Sequence, residues 1–376
     1  MPGSIETLVV GASAAGLATA ACLQRAGQDV EMLEATDVVG SAWRGHYDRL
    51  HLHTPKSASA LPGLEMPAGW ARYPARDQVV SYLERYRDHH RLAPHYGQRV
   101  QGLERRDGAW VATTADRQWS APTVVVATGF TRRPVLPSWP GIEAFRGEIL
   151  HSSAYRNGQP WRGGRVLVVG FGNSACEQAM DLVECGAEAH LSVRSPVNAI
   201  PRDLFGMVPI LRLGAALQHL PTRAADALAW PLVRLTVGDI RRIGLDKLPY
   251  GPMTQIARNR RIPLLDSGTL NHIRAGHITL HGAVSRFTPE GVVFADGTTL
   301  DVAAVVLGTG YRPALEDFLP DWTTVCDAAG IPRQSGRPTD LPGLFFCGYQ
   351  VSPAGMLHDI AQEARHLAAR LKHHLP

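Results

Sequence analysis

The stretch Thr7-Leu-Val-Val-Gly11-Ala-Ser13-Ala14-Ala-Gly16 decides the fold of the first part of the chain. It begins with a short β-rich run and bends at a glycine, and the alanine-rich residues Leu17 to Ala26 that follow predict a helix. Residues 29–33 predict a second strand, which ends at Glu34. A strand, a turn, a helix and a strand within about 30 residues predict a βαβ unit with parallel strands.

The glycine turn of this unit predicts a dinucleotide site. Gly11 permits the sharp bend, Gly16 lets helix and strand pack closely, and the free N–H groups at the helix start bind pyrophosphate. Ser13 stands where the usual G-x-G-x-x-G pattern has its middle glycine, and serine is still small. We assign Gly11, Ser13, Ala14 and Gly16 to the pyrophosphate, and Glu34 to a ribose hydroxyl.

A second unit of the same plan starts at Arg165. Val166 to Val169 predict a buried parallel strand, a turn containing Gly170 and Gly172 follows, and residues 176–185 predict a helix. Because this unit begins about 160 residues after the first, the sequence predicts two nucleotide-binding folds. The residues assigned to the second pyrophosphate are Gly170, Gly172, Asn173 and Ser174.

No acidic residue ends the second strand of this unit, where Arg194 and Ser195 stand instead. A carboxylate would repel a 2′-phosphate, whereas an arginine would pair with it. These two residues therefore predict NADPH rather than NADH. The competing interpretation is that Arg194 is only a solvated surface charge.

Composition excludes several classes of protein. The chain has 376 residues, 45% hydrophobic and 19% charged, which is typical of a globular protein of two or three domains. The net charge of +4 is not concentrated in a basic face, so we expect no nucleic-acid partner. No apolar run reaches the length that crosses a bilayer, so we expect no integral membrane span.

Cysteine usage bears on the cellular compartment. The five cysteines, Cys22, Cys176, Cys185, Cys326 and Cys347, include no C-x-x-C pair. We therefore expect neither a disulfide framework nor a metal site, and a reducing compartment fits best. The amino terminus shows no pattern of a secretory leader, so a cytoplasmic location is expected.

Further segments complete the predicted α/β fold. Residues 123–129 and 304–310 each predict a strand that runs into a Thr-Gly turn, and each follows a stretch of β-hairpin character. Residues 343–348 predict one more strand, and His358 to Leu371 a closing helix. Leu204 to Leu248 lack β character and predict short helices, interpreted either as a packed or homodimer face, or as a substrate lid or membrane-surface contact.

One motif resembles the signature of a known family. Phe145-Arg-Gly147-Glu-Ile-Leu-His151-Ser-Ser-Ala-Tyr155 fits F-x-G-x-x-x-H-x-x-x-Y and lies between the two glycine turns. This pattern resembles the class B flavoprotein monooxygenases, and its final tyrosine is closer to the flavin-containing monooxygenases than to the Baeyer–Villiger enzymes. Tyr47 to Lys56 and Pro263 to Leu270 are similar to segments of the plant YUCCA-type enzymes and their small bacterial relatives.

The resemblance implies two Rossmann-like domains. It implies a discontinuous FAD domain, residues 1–160 and 311–376, with an NADPH domain, residues 161–310, inserted into it. It also implies roles for residues that the glycine turns leave unassigned. It places Trp43 and His53 beside the flavin ring. Near the dinucleotides it places Thr54, Ala127, Thr128, Gly129, Thr309, Gly310 and Gly348.

Two residues become catalytic candidates through this resemblance, His53 and Asn173. His53 stands where larger microbial relatives have an asparagine, and its imidazole could donate the same hydrogen bond to the flavin. The competing interpretation is a histidine that only packs beside the ring. His151 of the signature is interpreted as organising the hinge between domains rather than as transferring protons.

The implied activity is a monooxygenation with a small-molecule substrate and O2. NADPH reduces the flavin, which adds oxygen as a C4a-hydroperoxide and transfers one oxygen atom to a nucleophilic sulfur or nitrogen. The alternative is Baeyer–Villiger oxygenation or oxidative decarboxylation of a ketone or 2-oxo acid. Two other hypotheses are a flavin disulfide reductase, which needs a redox cysteine pair, and a non-catalytic flavin redox sensor.

Overall fold

The structure is a computed structural model and describes residues 5–372. It divides into two compact units. The first unit contains the chain up to Arg44, residues Thr54–Arg133 and the chain from Tyr311 onward. The second unit contains Gly45–His53 and Pro134–Gly310.

Strands and helices are mixed along the described residues. The strands are β1 (Thr7–Val10), β2 (Val30–Leu33), β3 (Gly102–Arg106), β4 (Ala109–Thr113), β5 (Gln118–Ala121), β6 (Thr123–Val126), β7 (Arg133–Pro134), β8 (Glu148–His151), β9 (Arg165–Val169), β10 (Glu188–Ser192), β11 (Ala199–Pro201), β12 (Asp203–Leu204), β13 (Val208–Pro209), β14 (Leu264–Asp266), β15 (Ile278–His281), β16 (Val284–Phe287), β17 (Gly291–Phe294), β18 (Thr299–Asp301), β19 (Ala304–Leu307), β20 (Tyr311–Arg312) and β21 (Leu344–Phe346). The helices are α1 (Ala14–Arg25), α2 (Ser41–Arg44), α3 (Arg76–His89), α4 (Asn173–Glu184), α5 (Ile210–Leu217), α6 (Thr222–Val237), α7 (Pro252–Asn259), α8 (Thr269–Arg274), α9 (Trp322–Val325) and α10 (Met356–Leu371).

A parallel four-stranded sheet in the order β2-β1-β6-β21 forms the centre of the first unit. Its strands are short apolar runs, as expected for strands that are buried on both faces. Helix α1 is buried from Ala14 to Leu23, and its small side chains allow α10 to lie against it. A separate antiparallel sheet, β3-β4-β5, has the hairpin character predicted for the stretch before residue 123.

A parallel five-stranded sheet in the order β15-β10-β9-β19-β8 forms the centre of the second unit. Helix α4 connects β9 to β10, as the second βαβ pattern predicts. The stretch of β-hairpin character predicted before residue 304 is present as β17 and β18, which are joined by a turn at Asp296-Gly297.

The bounds of the two compact units differ from the predicted domain boundaries. Residues 134–160 were assigned to the first domain, but they lie in the second unit, and so does the segment 45–53. The physical reason is the pairing of β8, which lies beside β19 with Leu150 opposite Val306. That pairing places the family signature at the edge of the second sheet.

The prediction of short helices without β structure at 204–248 is partly wrong. Helices α5 and α6 are present, but β12 and β13 form an antiparallel hairpin just before them. Its turn uses the left-handed region, since φ is +51° at Phe205 and +72° at Gly206. Among residues 5–372, no helix combines the length and apolar character needed to cross a bilayer.

Candidate active site

The first candidate site lies at the edge of the first sheet where its strands end. Because all four strands are parallel, the turns after β1, β2, β6 and β21 meet there. Gly11 has φ +107°, and a Cβ atom on it would lie 2.8 Å from the Ala127 carbonyl oxygen. A Cβ atom on Gly16 would overlap the Gly11 carbonyl oxygen. The turn therefore needs glycine at both predicted positions.

Helix α1 begins at Ala14, three residues before the predicted start at Leu17. Ser13 occupies the N-cap position, and its side chain makes no capping hydrogen bond. An uncapped helix start keeps donor N–H groups available for an anion. The turn and the helix start therefore fit the pyrophosphate assigned to Gly11, Ser13, Ala14 and Gly16.

Glu34 is buried at this edge, with 5% of its surface exposed. Its Oε2 accepts a hydrogen bond from the Ala12 N–H at 2.8 Å. Its Oε1 accepts from the Thr36 N–H at 3.0 Å and the Thr36 hydroxyl at 2.8 Å. These bonds hold the carboxylate beside the glycine turn, and Oε2, which accepts only one of them, retains capacity to accept from a ribose hydroxyl.

Three other predicted residues adjoin the first turn. The Thr128 hydroxyl lies 2.9 Å from the Tyr349 hydroxyl, at the carboxyl end of β6. Gly348 follows β21 with φ +88°, and a Cβ atom on it would lie 2.9 Å from the Ala15 Cβ atom. Ala127 donates its N–H to the Val10 carbonyl at 2.8 Å. The structure thus brings Ala127–Gly129 and Gly348 together with the turn.

Trp43 and Thr54 both lie in the first unit and are held there by different contacts. Trp43 lies in α2, which is tied to the turn because Gly40 donates its N–H to the Ala12 carbonyl at 3.1 Å. The Thr54 hydroxyl lies 2.6 Å from the Ser59 hydroxyl. Its methyl group packs against Gly355, the residue before α10.

Asp359 is a residue that sequence reasoning missed at this edge. It lies in the first turn of α10, 6% exposed, and its Oδ1 accepts the Ser352 hydroxyl at 2.7 Å. Its Oδ2 is buried with no hydrogen-bond partner in the part of the chain that the structure describes. Burial raises the pKa of Asp359 to about 6. An unsatisfied buried acceptor fits a bound ligand that supplies a donor.

Asp359→Asn should stabilise the protein above pH 7 and have little effect near pH 4. The folded pKa of about 6 lies above the ordinary value of 3.8 for an aspartate, so ionisation of Asp359 costs stability as pH rises through 6. We expect the free energy of unfolding at pH 8 to rise by on the order of 2 kcal/mol. Denaturant titrations of the variant and the parent at both pH values measure this, and an equal effect at both would contradict it.

The second candidate site lies where the strands of the second sheet end. Gly170 has φ +128°, and a Cβ atom on it would lie 2.5 Å from the Gly308 carbonyl oxygen. Helix α4 begins at Asn173, three residues before the predicted start, with Gly172 as an N-cap that has no side chain. The same glycine turn and uncapped helix start are therefore present at both edges.

Asn173 has a structural partner that the sequence did not reveal. Its side-chain oxygen accepts the Leu265 N–H at 2.8 Å, which ties the start of α4 to β14. The predicted catalytic role of Asn173 stays a prediction, and that oxygen is occupied by the backbone. Ser174 follows it in the first turn of α4.

Arg194 and Ser195 lie beyond the end of β10 and are both exposed. Within residues 5–372 the Arg194 guanidinium has no salt bridge or side-chain hydrogen bond. The backbone before it is fixed, because Val193 donates its N–H to the His281 carbonyl at 2.9 Å. A cation held on a fixed backbone at this edge suits a 2′-phosphate.

Thr309 and Gly310 follow β19 at the same edge. The Thr309 hydroxyl donates to the Val135 carbonyl at 2.6 Å. Gly310 has φ +85°, and its carbonyl lies 3.0 Å from His151 Nε2. Both predicted residues therefore shape the backbone at the end of β19.

The signature motif is anchored within the second unit at its start. Phe145 packs edge-on against Phe287 with ring centres 5.5 Å apart. A Cβ atom on Gly147 would lie 2.6 Å from the Ala303 carbonyl oxygen. These two positions of the motif therefore serve packing.

The later residues of the motif hold polar groups in place. His151 Nδ1 accepts the Ser153 N–H at 3.1 Å, so Nε2 carries the proton and donates to the Gly310 carbonyl. Burial lowers the pKa of His151, which favours the neutral ring. The Tyr155 hydroxyl donates to Asp181 at 2.6 Å. His151 thus fixes the residue at which the second unit ends, and its hinge role stays a prediction.

His53 belongs to a buried polar network that sequence reasoning missed. His53 Nε2 lies 2.8 Å from Glu177 Oε1, and the Tyr47 hydroxyl donates to Glu177 Oε2 at 2.8 Å. Glu177 is 3% exposed and lies on α4, in the second turn of the helix. Burial, followed by the nearby Glu177, raises the pKa of Tyr47, so this hydroxyl stays protonated and donates.

The network is part of a row of acids on α4. Glu177, Asp181 and Glu184 lie four and three residues apart, so they share one helix face. Glu184 accepts two hydrogen bonds from the Arg49 guanidinium, at 2.9 and 2.6 Å. The acidic face of α4 therefore holds the segment Gly45–His53 in the second unit.

Glu177→Gln should lower stability more than the matched change Glu184→Gln. Tyr47 and His53 bond to different oxygens of Glu177, and glutamine replaces one of these oxygens with an NH2 group, which cannot accept a hydrogen bond. We expect a loss of about 1–3 kcal/mol in the free energy of unfolding. Glu184 is about half exposed, and its loss should cost under about 1 kcal/mol. Equal losses of unfolding free energy for the two variants, measured by denaturant titration, would show that the buried network stabilises the protein no more than the exposed Glu184 contact does.

The five cysteines bear on the disulfide-reductase hypothesis. All five are buried and free, and none forms a disulfide. Burial is the largest cause of the raised thiol pKa of Cys22, Cys176 and Cys347. A raised pKa makes a thiol a poor nucleophile for disulfide exchange. The structure therefore offers no redox dithiol.

Comparison with known proteins agrees with this geometry. Residues 8–204 match the family described as pyridine nucleotide-disulphide oxidoreductase. The indole-3-pyruvate monooxygenase YUCCA1 of Oryza sativa subsp. japonica is 37% identical over 337 residues, covering 89% of this chain and 82% of that protein. The chain belongs to the class B flavin-dependent monooxygenases.

Other comparisons support this monooxygenase family. The probable indole-3-pyruvate monooxygenase YUCCA4 of Arabidopsis thaliana is 35% identical over 336 residues, covering 89% of this chain and 81% of that protein. The flavin-containing monooxygenase from Stenotrophomonas maltophilia superposes with a TM-score of 0.74 at 25% identity and covers 98% of both chains.

Family membership settles several predictions. The α/β fold with two Rossmann-like nucleotide folds is confirmed. The monooxygenase is a flavoprotein enzyme that uses FAD and NADPH, as the sequence predicted. The sensor without catalytic turnover is therefore excluded.

Proposed function

We propose that this monooxygenase holds FAD at the first edge and NADPH at the second. The observation that supports this proposal is a difference in charge between two otherwise similar glycine turns. A buried acid, Glu34, stands beside the first turn and suits ribose hydroxyls. A free, exposed cation, Arg194, stands at the second and suits a 2′-phosphate.

The chain's own residues bind and orient the cofactors. Bound FAD supplies hydride acceptance from NADPH and activation of O2. The start of α1 would hold the FAD pyrophosphate, and the start of α4 the NADPH pyrophosphate. Asp359, with its unsatisfied oxygen, would accept a hydrogen bond from a donor of the bound ligand.

His53 would act at the flavin through a hydrogen bond to its Nδ1 atom. Its Nε2 is engaged with Glu177, which leaves Nδ1 as the nitrogen that could face a ligand. His53→Ala should therefore raise the fraction of NADPH that is oxidised with release of hydrogen peroxide. His53→Asn, which restores a side chain that can form a hydrogen bond, should release less than His53→Ala. Peroxide assays during NADPH oxidation measure this, and equal release from both variants would leave His53 with a packing role only.

The substrate class that we propose is an aryl 2-oxo acid, which would be oxidatively decarboxylated. The support is the pair of relatives at 35–37% identity that are named indole-3-pyruvate monooxygenases. In this reaction the bond between the carboxylate and the keto carbon breaks and carbon dioxide leaves. One atom of O2 enters the new carboxylate and the other leaves as water, with two electrons supplied by NADPH.

A four-class substrate screen tests this proposal. Indole-3-pyruvate, a sulfide, a tertiary amine and a cyclic ketone are each supplied with NADPH under 18O2. We expect labelled carboxylate from the 2-oxo acid, with little peroxide released. Labelled sulfoxide or N-oxide would instead support the sulfur or nitrogen oxygenation predicted first from the sequence. A labelled lactone would support Baeyer–Villiger chemistry.

A further inference from the structure

Exposed apolar side chains are concentrated in one part of the second unit. Among residues 5–372, nine large hydrophobic side chains are exposed, and seven of them lie between residues 205 and 235. We call these seven the apolar face: Phe205, Met207, Val208, Leu220, Leu228, Trp230 and Leu235. A cluster of this kind on a protein surface marks a contact with a partner or a membrane.

Two elements present the apolar face. Phe205, Met207 and Val208 stand at or beside the turn of the β12–β13 hairpin, 44–68% exposed. Leu228 and Leu235 lie seven residues apart on α6 and therefore project from the same side of that helix. They are 63% and 72% exposed.

Arginines outnumber acids in the segment that carries the apolar face. Residues 205–237 contain three arginines, Arg212, Arg223 and Arg234, and all three are exposed. The single acid in that range is Asp226, whose carboxylate accepts the N–H groups of Met253 and Thr254. Arg234 pairs with Asp239, whereas Arg212 and Arg223 have no partner within the described part of the chain.

We propose that the apolar face docks on the surface of an anionic phospholipid bilayer. Leucine, phenylalanine and tryptophan side chains bury into the interface, and nearby arginines bind lipid phosphates. Helix α6 has 16 residues and contains Pro231, so it would lie along the surface rather than cross it. A second copy of the chain fits less well, because a two-fold contact through this face would place two net basic patches against each other.

Vesicle sedimentation tests the docking. The complete FAD-loaded protein is mixed with vesicles of phosphatidylcholine alone or of phosphatidylcholine with phosphatidylglycerol, at low and high salt. We expect binding to the anionic vesicles at low salt and much weaker binding to the neutral ones. Replacing Arg212 and Arg223 with glutamine should weaken binding roughly 30-fold, at the usual contribution of a basic residue near an anionic surface.

The matched apolar variants separate insertion from simple charge attraction. At high salt the charge attraction is screened, and the binding to anionic vesicles that remains depends on apolar insertion. The double change Leu228→Ser and Leu235→Ser should abolish this remaining binding. Leu136→Ser, at a position 67% exposed outside the face, should leave binding unchanged. Absence of vesicle binding, or equal binding to both lipid mixtures, would overturn the proposal. So would a dimer in sedimentation velocity that the leucine variants dissociate without any effect of lipid.

Discussion

Gly11→Val yields a protein that folds but retains almost no FAD. Gly11 has φ +107°, and any Cβ atom there would lie 2.8 Å from the Ala127 carbonyl oxygen. The valine branches would also extend into the space beside the start of α1, where we place the pyrophosphate. The ratio of flavin absorbance to protein absorbance in the purified protein measures the effect, and circular dichroism reports on folding.

The matched control is Gly27→Val. Gly27 has a similar positive φ of +91°, but a Cβ atom there would meet nothing within 4 Å. Both changes carry the backbone penalty of a side chain at positive φ. Only Gly11→Val also adds steric overlap with the Ala127 carbonyl oxygen. Normal FAD content in both variants would contradict the assignment of the first turn. Loss of FAD from both variants would show that backbone strain alone causes the effect.

Arg194→Ala should raise the Michaelis constant for NADPH roughly 10- to 100-fold, which is the usual value of a hydrogen bond to a charged group. The constant for NADH should hardly change, because NADH lacks the 2′-phosphate. The parent and the variant are compared with both cofactors under steady-state conditions. Increasing salt should reduce the difference between the NADPH Michaelis constants of the parent and the variant, because Arg194 is exposed and salt screens its charge.

Arg286→Ala is the matched control for this prediction. Arg286 is an exposed arginine of the same unit, on β16, which belongs to a separate antiparallel sheet. Its loss should leave both Michaelis constants unchanged. If Arg194→Ala affected NADPH and NADH equally, Arg194 would be a surface charge without a role in cofactor choice.

Local patterns predicted the two βαβ units well. The runs around β1 and β9 are apolar, short and followed by glycine, and strands of this kind bury both faces wherever they pair. Helices α1 and α4 each begin three residues before their predicted starts at Leu17 and residue 176. Helical geometry instead begins directly after Ser13 and Gly172.

Contacts between distant parts of the chain escaped prediction. The signature strand β8 looks local in sequence, yet its partner β19 lies about 155 residues later. The network of Tyr47, His53 and Glu177 joins residues 124 to 130 positions apart. No pattern of spacing marks Glu177 or Asp359 as special, because on a helix each resembles an ordinary surface acid until its burial is known.

The central claim is that each glycine turn holds a different dinucleotide. A crystal structure of the protein grown with FAD and NADP+ tests it most directly. We predict the FAD pyrophosphate at Gly11 to Gly16, and the NADP+ pyrophosphate at Gly170 to Ser174 with its 2′-phosphate on Arg194. NADP+ bound elsewhere, with the second turn closed against it, would contradict the account.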